Sequence, residues 1–122
     1  METYHRVNEM EKSKVLFDLR RFFEIIDNVS FSYLFGDFLF AHFFKYLNLG
    51  IYFDDNKISI QEWNSEIESY KTKLKEILLY PIEFLIINTA PLELQVDAVR
   101  GSSLSCTDEE ERTRFLKEIL KD

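Results

Sequence analysis

The sequence predicts a single small α/β domain over residues 1–122, with helices packed on a short mixed sheet of three to four strands. Three observations lead there. Segments with apolar residues every three or four positions alternate with segments that have them at every second position, the periods of helix and strand. Breakers are scarce, three glycines and two prolines, so connections are short and regular structure is extensive. Hydrophobic residues make up 46% and charged residues 30% of 122 positions, a globular balance in a chain long enough for one core and too short for two. No internal repeat or linker interrupts it.

The elements follow in order. Val15, Leu19, Phe22 and Ile26, widened by Leu16 and Phe23, mark a helix over 9–27. "VSFSYLF" (29–35) alternates, with Val29, Phe31, Tyr33 and Phe35 on one face and the serines on the other, and reads as a strand ended by Gly36. "DFLFAHFFK" (37–45) is apolar nearly all round and predicts a short buried helix capped by Asp37. "LNLGIYF" (47–53) alternates again, setting Leu47, Leu49, Ile51 and Phe53 against Asn48, Gly50 and Tyr52; a turn, "DDNK", follows. "SIQE" (59–62) has the capping-box pattern and opens a helix through Ile60, Trp63, Ile67, Tyr70, Leu74 and Ile77, which must stop before Pro81. "IEFLII" (82–87) is a continuous apolar run with one carboxylate, Glu83, and predicts a strand buried on both faces. Pro91 opens a short helix, "SSLSC" (102–106) suits a small edge strand, and "TDEE" (107–110) reads as a second capping box before an amphipathic helix through Phe115, Leu116, Ile119 and Leu120.

Charge and composition exclude whole classes of function. A net charge of −7 opposes sequence-independent nucleic-acid binding, which depends on cations neutralising phosphates, and opposes a role on an anionic membrane. The charged N-terminus has no signal-peptide pattern and no apolar run approaches a membrane span, so a cytoplasmic location is expected. One cysteine, Cys106, cannot form an internal disulfide or a Cys-based zinc site and reads as a small hydrophobe at a strand end.

The stretches "YLFGD" (33–37), "NLG" (48–50) and "IEFLIINTAP" (82–91) stand in order at a telling spacing. With them the chain resembles the minimal nucleotidyltransferases of the DNA polymerase β-like superfamily, particularly the antitoxin half of HEPN–nucleotidyltransferase toxin–antitoxin pairs. The family pattern is a strand ending in Phe-Gly-Ser, ten residues, then Asp-x-Asp on the next strand, with a third carboxylate on a later strand. Residues i and i+2 of a strand share a face, so Asp-x-Asp presents two carboxylates to a pair of Mg²⁺ ions that clamp the oxygens of phosphoryl transfer. The Gly-Ser turn offers donors to nucleotide phosphates. The resemblance implies a nucleotidyltransferase-like fold over roughly residues 10–120 and a small helical HEPN-type ribonuclease as partner.

The sequence departs from the pattern at the residues that do the chemistry. Asp37 replaces the serine, Asn48 and Gly50 replace the two aspartates, and Phe40 and Ala41 stand where Arg-Gly is frequent. Glu83 alone remains of the carboxylates and is the one metal-ligand candidate; buried, it would pair with a nearby Lys or Arg. His42 is expected in the core, His5 in a frayed terminus, and Asp54 and Asp55 in a solvated turn. Two readings result. In the first, the fold has lost its catalytic site (Gly36, Asp37, Asn48, Gly50, Glu83), holds no cofactor, and acts by contact with a toxin or a second copy through the aromatic stretch Phe38, Phe40, Phe43, Phe44 and Tyr46. In the second, an altered metal-dependent transferase moves AMP from ATP to protein with Mg²⁺, through a rearranged site of Glu83, Asp37 and Asp54. If only the ligands are lost, Asp37→Ser, Asn48→Asp and Gly50→Asp together are expected to restore metal binding.

Overall fold

A computed structural model describes residues 3–121. In chain order it contains α1 (Glu9–Glu24), β1 (Val29–Phe35), a single helical turn α2 (Asp37–Phe40), β2 (Leu47–Phe53), α3 (Ile60–Lys75), β3 (Ile82–Ile86), a 3-10 turn at Ile87–Thr89, α4 (Leu92–Val99), β4 (Ser102–Cys106) and α5 (Glu109–Ile119). The four strands form one mixed sheet in the order β3-β2-β1-β4. β1 is antiparallel to β2 and β4, and β2 is parallel to β3.

Each sheet face carries its own apolar cluster. On one face Leu34, Leu47, Leu49, Ile51, Phe53 and Leu104 pack under α1 (Val15, Leu19, Phe22, Phe23) and α3 (Trp63, Ile67, Tyr70, Leu74). On the other, Phe31, Tyr33 and Ile87 pack with Ala98 of α4, flanked by Phe115 of α5. The alternation of β2 thus sends its four large residues to the first face, all fully buried, and leaves Asn48, Gly50 and Tyr52 to the second. β1 does not alternate strictly. Its register shifts between Val29 and Phe31, and this irregularity turns Val29 into the α1/α3 cluster instead of beside Phe31.

Three helices are set by their caps. The Glu62 carboxylate accepts from the Ser59 N–H at 3.3 Å and from its Oγ at 2.8 Å, the predicted capping box of α3. α1 has one that was not foreseen, with Asn8 and Glu11 bonded reciprocally at 2.8 and 3.0 Å. The box expected at "TDEE" is replaced by a single side-chain cap one residue on. Asp108 caps α5 by accepting from Glu111 N–H at 3.0 Å, while the Thr107 hydroxyl donates to the Val29 carbonyl and ties the element to β1.

Four expectations are corrected. The helix over 37–45 is a single turn: Gly36, not Asp37, is its N-cap, and Ala41 is already extended (φ −112°, ψ 165°). The chain leaves the helix because Phe44 pairs in a backbone bridge with His5 (2.7 and 3.1 Å). His5 is accordingly ordered, its ring packed on Phe44 and Tyr80, and His42, past the end of the shortened helix, is exposed rather than in the core. β3 is not buried on both faces; it is an edge strand with β2 as its one neighbour, and each of its residues is partly or fully exposed. No helix among the described residues is long and apolar enough to cross a membrane.

Candidate functional site

The residues singled out in the sequence meet at one end of the sheet. β1 ends there, and β2 and β3 begin. Register places Phe35 opposite Asn48 and Asn48 opposite Glu83, with Tyr33, Gly50 and Leu85 aligned two positions further along. Gly36 turns the chain out of β1 with φ +89°, a backbone conformation that side chains disfavour. A Cβ at Gly36 would also lie 2.6 Å from Asn48 Nδ2. Glycine at 36 and the amide at 48 therefore fit one another.

Charge and exposure at this corner differ from those of a metal-dependent transferase. Asp37 and Glu83 are both exposed, and Asn48 is half-buried and neutral. No ion pair involving Glu83 is formed among the described residues, so the expected Lys or Arg partner is not found; exposure to water makes one unnecessary. Asp54 follows β2 at its opposite end, where its carboxylate accepts from the Asn56 N–H. It stands six positions along the strand from Asn48, about 20 Å at the usual rise. The rearranged site of Glu83, Asp37 and Asp54 is thus not assembled, and no group of three or more metal-ligating side chains forms among the described residues.

Gly50 shows how the second face is closed. A Cβ built there would meet Ile87 Cδ1 at 3.0 Å and Ala98 Cβ at 3.2 Å. The 3-10 turn and α4 lie directly on this strand position. Gly50 is buried between them, and the carboxylate that the resembled pattern would set here would crowd both. Replacing Gly50 by Asp sets a side chain against Ile87 and Ala98, a packing that opposes the metal binding expected of the triple substitution.

The aromatic stretch divides. Phe38 and Phe44 are core residues, 0% and 1% exposed, with rings in edge contact at 5.0 Å. They cannot touch a partner in this fold. Phe40 and Phe43 are 76% and 53% exposed, and Tyr46 is half-buried. The N-terminal segment, which sequence reasoning passed over, borders them. The Arg6 guanidinium lies over the Phe43 ring at 5.9 Å and Lys45 Nζ over the Tyr4 ring at 4.9 Å. Tyr4, Asp37, Lys45, Tyr46 and Asn48 line a cleft of about 230 Å³ at this corner. A larger depression, about 600 Å³, lies along the outer face of α5, lined from that one helix by charged residues such as Glu110, Arg114 and Lys117. It is an open charged surface and shares no residue with the corner.

Cys106 lies on the α4/α5 side of β4, half-buried beside Phe31. Burial pushes its thiol pKa up, reinforced by its hydrogen bond to Glu109, so it is no activated nucleophile.

No protein-family model matches the chain, and no curated protein matches it. Among solved structures, it is similar to a chain in each of two mutant forms described as the toxin–antitoxin MntA-HpeT. The TM-scores are 0.60 and 0.59, both at 19% identity, covering 93% and 94% of this chain and 85% of each of those. A third likeness, to the toxin–antitoxin MntA-HepT, has a TM-score of 0.56 at 18% identity, with 93% and 84% of the two chains covered. At this identity the likeness is one of fold alone, a four-stranded mixed sheet with helices on both faces.

Proposed function

We propose that this chain is the antitoxin-side member of a toxin–antitoxin pair, working in the cytoplasm by contact with a small helical HEPN-type ribonuclease and transferring no nucleotide. The observation that carries the non-enzymatic part is the packing of Ile87 and Ala98 onto Gly50. It closes the position from which the second metal-binding carboxylate of the resembled family projects. A two-metal clamp needs anionic oxygens on both ions; Asn48 offers a neutral amide and Gly50 nothing. The shared fold with solved toxin–antitoxin chains supports the biological class.

The contact surface we assign is the sheet-end corner around Phe40 and Phe43. Two large apolar rings stand largely exposed there within four residues of each other, an arrangement suited to anchoring a partner. A net charge of −7 suits a partner made basic by its own affinity for RNA.

The test joins capture with chemistry. The tagged chain is co-expressed with the protein encoded beside it, and the purified pair is incubated with labelled ATP and Mg²⁺ or Mn²⁺. The expected result is a stoichiometric complex with no label on either protein. Label on the partner that disappears with Glu83→Ala would establish a transferase and overturn the proposal. Failure of the two proteins to co-purify would remove the partner assignment.

A further inference from the structure

The two edges of the sheet are treated differently. At the β4 edge, Arg20 of α1 donates from Nε to the Ser103 carbonyl at 3.2 Å and from Nη2 to Ser102 Oγ at 3.1 Å, and Arg112 of α5 reaches Ser103 Oγ at 3.2 Å. Side chains thus cover the backbone of that strand. At the β3 edge no such cover exists among the described residues. The Leu47 N–H donates to the Pro81 carbonyl, and Leu47 is registered with Ile82. In a parallel ladder this turns the C=O of Pro81 and the N–H and C=O groups of 83 and 85 toward β2 and those of Ile82, Phe84 and Ile86 outward. The outward groups form an unpaired row, flanked by half-exposed apolar side chains. Such an edge is a template for another strand.

We propose that β3 pairs antiparallel with β3 of a second copy of this chain, about a two-fold axis at Phe84, joining two four-stranded sheets into one. The segment Ile82-Glu83-Phe84-Leu85-Ile86 is self-complementary about its centre. Phe84 meets Phe84, and Ile82 meets Ile86, each pair exchanging two backbone hydrogen bonds. On the other face Glu83 lies opposite Leu85 of the second copy, so the carboxylates do not face each other. A two-fold centred on Glu83 would set those carboxylates directly opposite, which is unfavourable; the single charge selects the register. The ends of the edge agree as well. Leu79, 93% exposed, and Ile77, 47% exposed, lie where β3 begins, and Ile60, 66% exposed, opens α3 at the far end, beside the stacked Phe53 and Trp63. Antiparallel pairing brings the first end of one copy against the second end of the other. Phe40 and Phe43 are not among the residues of this seam.

Sedimentation over a concentration series tests the proposal on the full chain, with hydrogen exchange read at single amides. The expected result is a reversible dimer, with the amides of Ile82, Phe84 and Ile86 protected as dimer forms. Leu85→Glu sets a second carboxylate opposite Glu83 and is expected to weaken the dimer by roughly tenfold or more. Glu83→Lys added to it makes opposite charges face one another and is expected to restore pairing. That rescue separates lost pairing from lost folding, which circular dichroism checks independently. A chain that stays monomeric throughout, or a dimer in which those three amides exchange freely, overturns the proposal. So does protection that arises only when a different protein is added, which would assign the edge to a strand of that protein.

Discussion

Replacing Gly50 gives the sharpest test of how the second sheet face is built. In Gly50→Ala the new methyl stands 3.0 Å from Ile87 Cδ1 and 3.2 Å from Ala98 Cβ. Both are tighter than ordinary contacts, and while the Ile87 terminus can rotate, Ala98 moves only with α4. Overpacking of this kind costs about 1–3 kcal/mol, so about 1–2 kcal/mol is expected, a fall in Tm of about 4–8 °C for a domain of this size. Gly50→Asp adds a carboxyl group to a site ringed by apolar atoms. Desolvation raises its pKa and brings the total to about 3–5 kcal/mol at neutral pH. The sign with pH follows from linkage. A carboxyl whose folded pKa is raised holds its proton more tightly in the native state. Its charge penalty is absent below the unfolded value of about 4 and grows as pH rises toward the folded pKa. Urea unfolding of the wild type and both variants at pH 4 and pH 7 measures each part: the alanine penalty should be the same at both, and the extra aspartate penalty should be larger at pH 7. An aspartate variant as stable as wild type, with a melting temperature that climbs with Mg²⁺ concentration, would refute the packing argument.

Two further predictions rest on the same map. Phe40→Ser with Phe43→Ser should leave unfolding free energy within about 1 kcal/mol of wild type while abolishing capture of the partner; Phe38→Ala or Phe44→Ala alone should cost about 3–5 kcal/mol, and denaturant titration beside pull-down separates the two behaviours. Tyr70 has its hydroxyl pKa raised by burial and then by the Glu66 charge and donates to Asn28 Oδ1 at 2.7 Å. It is neutral in both states below about pH 10 and ionises first in the unfolded chain above that, so stability should fall on the alkaline side, and Tyr70→Phe should cost about 1 kcal/mol at pH 7 yet flatten that fall in a pH series of melting curves.

Much of the fold could be read before any coordinates, and the reasons are local. α3 announces itself because Ser59 and Glu62 form its cap and the stripe Trp63, Ile67, Tyr70 and Leu74 has one buried face. β2 does so because its alternation is unbroken. What could not be read depends on distant parts of the chain. "DFLFAHFFK" has no period, so nothing in it shows that His5 draws Phe44 into a bridge and ends the helix after one turn. "IEFLII" has the composition of a central strand, and only the strand order makes it an edge. At the corner, the departures from the resembled pattern were plain at Asp37, Asn48 and Gly50, but the closure over Gly50 comes from Ile87 and Ala98, which no local pattern ties to it.

The pairing of β4 with β1 sets a schedule for folding. Ser32 and Ser105, whose hydroxyls meet at 2.6 Å, are 73 positions apart. As the chain emerges from a ribosome at about 5–20 residues per second, β1 can find β2 early, but its other side stays open until the last strand arrives. During that interval "VSFSYLF", the middle of the finished sheet, is an edge rich in aromatic and β-branched residues, a segment prone to pair with its like. A chain cut before Ser102 keeps that opening permanently and is expected to aggregate, so the short strand with the fewest large residues is the one that makes the nascent protein safe to release.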